Sequence, residues 1–436
     1  MSDTRRLARS LQMLLDPRTA LGVELWDGTR QGSAVPKLLI AVRDPIALRH
    51  LIWGPGELGF GRAYVSGLLD LEGDLELLAK EREELAARLR RGERSAVLGL
   101  AGVLWWAART AGVWPPPKRP PEEVKLRGRR HSKRRDAKAI SHHYDAPEDF
   151  YRLFLGATMT YSCAYFARSD FDLDRAQEAK MDLVCCKLGL KPGMRFLDIG
   201  CGWGSLVLHA AKHYGVQATG VTLSEVQAKS ARRLIKEEGL ETKVEIRHCD
   251  YRDVSDGPYD AIASVGMFEH VGAAKLATYF SKVASLLATG GRFLNHAISR
   301  PAGIPPSLPS RSFVNRYVFP DGELHEVGAV VSAIQAVGLE VRDVESLREH
   351  YVETLNAWRR NLEQHWDRAV ALVGEARARI WRLYMAGAAE RFRRYAISVH
   401  QTLAVKTSSE GVSGMERSRL EVVAALQERL SAAWTR

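Results

Sequence analysis

The sequence holds few cysteines, no long charge-free apolar run and no internal repeat, and each shortage removes a class of protein. Of its 436 residues only five are cysteine: Cys163, Cys185, Cys186, Cys201 and Cys249. An odd set without paired spacing excludes a disulfide framework and predicts a reducing, cytoplasmic setting. Cys185 and Cys186 are neighbours in a helical pattern and are expected to pack into a core. The opening residues, MSDTRRLARSLQMLLD, carry basic side chains but lack the apolar stretch of a secretory signal. The most apolar stretch, Ala96 to Trp114, is barely of spanning length and carries Arg109 and three glycines. No membrane-crossing helix is expected there. His142 and His143 are adjacent, yet no third and fourth ligands stand at a suitable spacing, so no metal site is expected.

What is present describes a globular protein of two or three domains. Apolar residues make up 46% and charged residues 26%, enough to bury a sizeable core. A net charge of +11 favours anionic partners: nucleic acid, anionic lipid or an acidic protein. Residues 1–114 mix helical patterns (Arg6 to Leu15, Asp74 to Arg91) with short strand-like runs such as Lys37–Val42. The run PGELGFGRAYVSGLL, Pro55 to Leu69, has too many glycines for a regular helix interior and is expected to bend between elements. Pro115-Pro116-Pro117 breaks the pattern, and a basic stretch follows from Lys118 to Lys138, so residues 115–139 read as a linker. From residue 140 to about 410 the pattern is α/β. Strand-like runs at Arg195–Gly200, Ala218–Leu223, Val244–Cys249, Ala261–Phe268 and Gly291–Ala297 alternate with helical patterns such as Ser224–Glu238 and Ala274–Ala288. That alternation predicts a parallel sheet with helices on both faces. A helix at Glu326–Ala336, a strand at Leu339–Leu347, a long helical stretch from Tyr351 to Arg394 and a strand at Ile397–Thr407 complete the region. Residues 411–436 read as a helical tail.

The strongest local signal is LDIGCGWGS, Leu197 to Ser205, between a strand and a helical run. Its glycines at 200, 202 and 204 permit a sharp turn and a close ligand approach. The G-x-G-x-G spacing after Asp198 differs from the dinucleotide fingerprint. It is the loop pattern of class I methyltransferases, which bind the amino-acid end of S-adenosyl-L-methionine (SAM). Loops at the carboxyl ends of the following strands should complete the site. They offer Thr222, Leu223 and Gln227, with no acidic residue for the ribose, then Asp250, Tyr251 and Arg252. There Asp250 would accept from the adenine amino group and Tyr251 would stack.

From Ser141 onward the chain resembles the cyclopropane-fatty-acyl-phospholipid synthase family of SAM-dependent methyltransferases. The matching segments are HHYD (142–145), MTYSCAYF (159–166), KPGMRFLDIGCGWG (191–204), GVTLS (220–224), DYRDV (250–254), SVGMFEHVG (264–272) and RYVFPDGEL (316–324). Residues 55–69 also resemble the family's N-terminal lipid-recognition domain. The resemblance implies a class I, Rossmann-like methyltransferase domain beside a smaller mixed α/β N-terminal domain. It implies that Tyr161 and Ser162 touch SAM, with Gly200, Gly202, Thr222, Leu223, Gln227, Tyr251 and Arg252. It also implies a bicarbonate acting as base, held by the Cys163 backbone with Glu269, His296 and Tyr351. Aromatic residues Tyr161, Tyr165, Phe166 and Phe268 would stabilise a carbocation through their ring faces. Taken alone, His296 reads better as a hydrogen-bonded core histidine, Glu269 as a carboxylate at a helix start, and Tyr351 carries no information. One departure stands out: where the family often has cysteine, YMAGAAERF places Ala388. LNHAISRP, LYMAGAAERF and HQTLAVKT look closer to an actinobacterial branch that makes 10-methylene and 10-methyl fatty acids.

The activity so implied is methyl transfer from SAM to the cis double bond of an unsaturated acyl chain in membrane phospholipid. The product is a cyclopropane or a mid-chain methylene, and a saturated methyl product needs a separate reductase. The expected partners are the phospholipid, an anionic membrane surface and a second copy of the chain, with the enzyme peripheral on the inner face of the plasma membrane. Trp105, Trp106 and Trp114, just before the basic stretch, suit a membrane interface, although a core helix and a solvated linker explain them equally well. The competing readings are an RNA methyltransferase and a non-catalytic nucleic-acid-binding protein. The first lacks an N-P-P-Y type motif, and the second has no need of an intact glycine loop.

Overall fold

The computed structural model describes residues 3–16, 18–54, 56–124, 135, 146–305 and 312–432. HHYD and most of the basic stretch, including Arg129, Arg130, Lys133 and Arg134, lie outside them. Arg135 is described, and its guanidinium is clamped onto Asp321 through Nε (2.5 Å) and Nη2 (2.8 Å). That ion pair removes Arg135 from the set of charges free to meet a lipid headgroup.

The chain divides into two compact units. Residues 1–125, 309–320 and 362–390 form the first; residues 126–308, 321–361 and 391–436 form the second. Read as consecutive blocks, the sequence assigns 309–320 and 362–390 to the α/β region. In three dimensions they belong with the N-terminal unit.

In the first unit, α1 (Asp3–Leu14) precedes β1 (Leu21–Glu24), β2 (Arg30–Gly32) and β3 (Leu38–Val42). Next come α2 (Ile46–Trp53), α3 (Glu57–Val65), β4 (Leu69–Gly73), α4 (Glu76–Arg90) and α5 (Arg94–Ala111). The sheet order is β2-β1-β3-β4, with β1 and β3 parallel and the other pairs antiparallel. The glycine-rich run that was expected to bend is helical over Glu57–Val65. Close packing is the reason: a Cβ on Gly59 would sit 2.1 Å from the Gly54 carbonyl oxygen, and one on Gly61 would sit 2.3 Å from the Phe313 ring. Tertiary contact outweighs the roughly 1 kcal/mol that glycine costs in a helix. α1 and α5 pack together, and Gly99 and Gly102 let their backbones approach.

The second unit opens with α6 (Glu148–Leu155) and α7 (Leu173–Leu188). The α/β succession follows as β5 (Arg195–Ile199), α8 (Ser205–Tyr214), β6 (Gln217–Thr222), α9 (Glu225–Glu237) and β7 (Val244–His248). β8 (Tyr259–Val265), α10 (Leu276–Leu286), β9 (Leu287–Ser299), α11 (Val327–Gln335), β10 (Glu340–Ser346) and α12 (Arg348–Gln364) continue it; β11 (Ser398–Val405) and α13 (Leu420–Ala432) end it. The seven strands run in the order β10-β11-β9-β8-β5-β6-β7, and only β11 is antiparallel to its neighbours. Along β5, Phe196 packs into the core on one face, and Leu197 and Ile199 into the core on the other. This period-2 alternation buries both faces, each such side chain contributing about 1.5–3 kcal/mol. Asp198 therefore points to the Phe196 side. The long helical stretch from Tyr351 is three helices, broken at His365 and at Gly374, whose φ is +79°. No helix among the described residues is long and apolar enough to cross a membrane. Cys185 and Cys186 are core residues, as their helical setting suggested.

Candidate active site

At the carboxyl edge of the sheet, the loops after β5, β6, β7 and β8 surround a cleft of about 820 Å³, its open mouth included. Eight of the residues singled out from the sequence line it: Gly200, Gly202, Thr222, Leu223, Gln227, Asp250, Tyr251 and Arg252. Gly200 and Gly202 have φ of +84° and +55°. A Cβ on Gly202 would meet no protein atom within 4 Å, because that position faces the cleft. The cradle is thus shaped by a missing side chain, and it fits the close approach of a ligand such as SAM.

After β6, Ser224 caps α9 by accepting the Gln227 N–H (3.3 Å), while the Thr222 hydroxyl donates to Gln227 Oε1 (3.0 Å). This pre-orders a hydroxyl and an amide where many such folds carry a ribose-binding carboxylate. After β7 the expectation changes. Arg252 donates from Nε to Asp250 Oδ1 (2.7 Å) and from Nη2 to Oδ2 (2.5 Å). Asp250 is consequently half of a bidentate ion pair that stiffens the loop, and only the remaining lone pairs can take an adenine amino group.

Tyr161, Ser162 and Asp198 are not on the cleft wall. Asp198 is buried beneath the loop, with no hydrogen-bond partner on Oδ1. Burial pushes its carboxyl up to about 7, opposed by the charge of Lys180. Ser162 and the Tyr161 carbonyl lie beneath Gly266, itself a wall residue: a Cβ there would stand 3.8 Å from the Ser162 Cβ. The Tyr161 ring lies 5.1 Å from that of Trp358. Phe268 and Tyr165 do not face the cleft. Phe268 is in the sheet core against Tyr279 and Phe280, and Tyr165 packs on His350.

A second polar set lies behind the cleft. Glu269 Oε1 accepts the Ile298 N–H (2.6 Å), and His296 precedes Ile298 by two residues on β9, on the same face. Across the β9–β11 pair, Val399 stands opposite Ile298 and its carbonyl accepts the Leu347 N–H (2.9 Å). The Leu347 carbonyl in turn accepts the Tyr351 N–H (3.1 Å) and the Cys163 thiol (3.6 Å). One run of backbone contacts thus links Glu269, His296, Tyr351 and Cys163. Burial raises the Cys163 thiol far above its usual range, so it is a neutral side chain and no nucleophile.

The protonation of His296 follows from its neighbour. Lys187 donates to Gln401 Oε1 (2.8 Å), which orients the amide so that Nε2 donates to His296 Nδ1 (3.2 Å). Burial, reinforced by the charges of Lys180 and Lys187, lowers the imidazole to about 3. His296 is therefore neutral, with its proton on Nε2, and that N–H has no partner. Glu269 Oε2 likewise has none, and burial raises its carboxyl. Each of these two buried atoms lacks a partner within the chain, and bicarbonate, which both accepts and donates, has the hydrogen-bonding character to serve either.

Sequence reasoning missed Lys187 and Gln401, which orient His296, and the cleft residues Gly266, Met267, His270 and Lys275. The available signal was a lysine or glutamine at the inward position of an otherwise apolar element. The first three cleft residues also fall within SVGMFEHVG at the end of β8.

The family of mycolic acid cyclopropane synthetases matches residues 131–402. A probable fatty acid methyltransferase of Mycobacterium tuberculosis is 42% identical over 399 residues, covering 88% of this chain and 91% of that protein. One from Pseudomonas putida is 42% identical over 410 residues, covering 93% and 96%. Among solved structures, the mycolic acid cyclopropane synthase CmaA1 complexed with SAH and CTAB is 37% identical with a TM-score of 0.58, over 62% of this chain and 97% of that one. With a G-x-G-x-G cleft at the switch edge of a seven-stranded sheet and relatives matched over nearly its whole length, the chain belongs to the mycolic acid cyclopropane synthetase family and is a SAM-dependent methyltransferase of unsaturated fatty acyl chains.

Proposed function

We propose that the chain methylates the cis double bond of an acyl chain in membrane phospholipid, using Glu269, His296 and Tyr351 to hold a bicarbonate. The observation that carries this reading is the pair of orphaned buried atoms, Glu269 Oε2 and His296 Nε2, on segments next to the glycine-loop cleft. An alkene is a weak nucleophile, so the enzyme's main task is to hold it in line with the methyl group. The π electrons form the new C–C bond, the C–S bond breaks, and SAH leaves with that electron pair. A carbocation remains, whose neighbouring protons are acidic enough for a weak base that is correctly placed. Bicarbonate bound there would supply that base. Neutral His296 donates from Nε2, and Glu269 accepts and orients. Loss of a proton from the new methyl closes a cyclopropane; a hydride shift followed by proton loss from the same carbon gives an exocyclic methylene. A saturated methyl branch would then need a separate reductase. The complex of CmaA1 with CTAB, a long-tailed amphiphile, supports an acyl-chain substrate.

Incubating the protein with methyl-labelled SAM and unsaturated phospholipid vesicles tests this. Label is expected in extractable lipid, at a mid-chain carbon resolved by mass and NMR analysis. Label entering RNA while lipid stays unlabelled would sink the reading.

Docking on an anionic membrane belongs to the same proposal. In the first unit, Val97, Leu98, Leu104 and Trp105 form an exposed apolar stripe on α5, and Trp105 is 57% exposed. Beside it, α1 exposes Arg5, Arg6 and Arg9, and the Arg6 guanidinium lies over the Trp106 ring. An interfacial tryptophan flanked by arginines suits the headgroup layer. Replacing Arg6 and Arg9 by glutamine should weaken binding to phosphatidylglycerol vesicles on the order of thirtyfold, at roughly 1 kcal/mol per charge removed. Equal sedimentation with phosphatidylcholine vesicles would remove charge from the docking mechanism.

A further inference from the structure

α7 is buried almost all round, and among its buried residues are Gln177 (0% exposed) and Lys180 (2% exposed). Lysine is almost never fully buried without a partner. These two residues are three apart and share a helix face, and both reach one short segment of chain. Gln177 Nε2 donates to the carbonyls of Ser162 (2.9 Å) and Thr160 (3.3 Å), and Lys180 Nζ donates to the Ser162 hydroxyl (3.1 Å). The segment they hold lies directly beneath Gly266. Gly266 in turn lines the cofactor cleft and donates its N–H to the His296 carbonyl (2.9 Å).

We propose that Lys180 is a positioning residue: through Ser162 it fixes the wall that the SAM cleft shares with the buried His296, with Gln177 as the second clamp. The inference rests on the methyltransferase reading. A charged donor is used where a neutral one would satisfy the hydroxyl, and the second buried charge explains why. Asp198 lies under the glycine loop without a partner on Oδ1, and the two opposite charges offset each other's burial. The segment beneath the loop after β8 must keep its place for the methyl donor and the base to meet at one carbon.

The test is a double-mutant cycle read as SAM affinity by calorimetry, with thermal melts alongside. Lys180→Met keeps the length and removes charge and donor; Ser162→Ala removes the acceptor. Each single variant should weaken SAM binding about tenfold or more, as the loss of a hydrogen bond from a charged group does. The double variant should be no worse than Lys180→Met, because both changes break one contact. The KM for SAM should rise together with a fall in kcat, whereas simple destabilisation would move only the melting temperature. Wild-type affinity in folded Lys180→Met, or losses that multiply in the double variant, overturns the proposal. If Lys180→Met does not fold, Ser162→Ala decides alone, and wild-type SAM affinity in that variant overturns it. Failure of the unmodified protein to bind SAM would overturn the underlying reading instead.

Discussion

Gly202→Val should abolish SAM binding and all turnover while the protein still folds. The position lies on the cleft wall with φ +55°, and an added Cβ meets no protein atom within 4 Å. The valine branches would therefore enter the space a ligand needs and touch nothing the fold needs. Left-handed backbone costs a side-chain-bearing residue about 1–2 kcal/mol, well within the usual 5–15 kcal/mol of stability. Loss of affinity should exceed ~100-fold, or ~2.7 kcal/mol, by calorimetry, with the circular dichroism spectrum and cooperative melt retained. Gly200 is a poorer probe: a Cβ there would stand 2.7 Å from the Met267 Cβ, so its replacement disturbs the loop itself. Unchanged SAM affinity in Gly202→Val would remove the cofactor from this cleft.

Glu269→Gln should separate cofactor capture from proton removal. The carboxylate does not line the cleft; one oxygen takes the Ile298 N–H and the other is the orphaned acceptor. Glutamine nearly preserves the shape and can still accept from Ile298, so SAM affinity should stay within a few-fold of wild type. It cannot carry the charge, and turnover should fall by about 10²–10⁴-fold, the range for losing a positioned acid–base function. If Glu269 acts by holding bicarbonate, the wild type should slow in degassed, bicarbonate-free buffer and recover when bicarbonate returns. The variant should respond less. If Glu269 is itself the base, the variant loses as much activity but the wild type ignores bicarbonate. Identical wild-type rates with and without bicarbonate would therefore overturn the anion site and leave the methyltransferase standing.

Much of this was legible without coordinates, because it is encoded in short-range pattern. The apolar runs from Arg195 to Ala297 are strands, and the periodic segments between them are helices, since residues two apart or three to four apart share a face whatever the tertiary context. The glycine loop declares itself through a backbone requirement that only glycine meets cheaply. Eight cleft residues follow, because every loop at the carboxyl edge of a parallel sheet converges on the same place.

What only the tertiary structure decided is which partner each polar group found. Asp250, the expected adenine acceptor, is held by Arg252, and Arg135, within the basic stretch, is paired with Asp321. Phe268 went into the sheet core instead of facing the reaction. Gly59 and Gly61, read as helix breakers, stand inside a helix because neighbouring atoms leave no room for a side chain. The N-terminal unit recruits residues 309–320 and 362–390 from far along the chain. Gln401 and Lys187 set the tautomer of His296 from 105 residues downstream and more than 100 upstream. Local pattern reports backbone geometry and burial, whereas hydrogen-bond and ion-pair partners depend on distances between residues remote in sequence. Those distances exist only once the chain has folded.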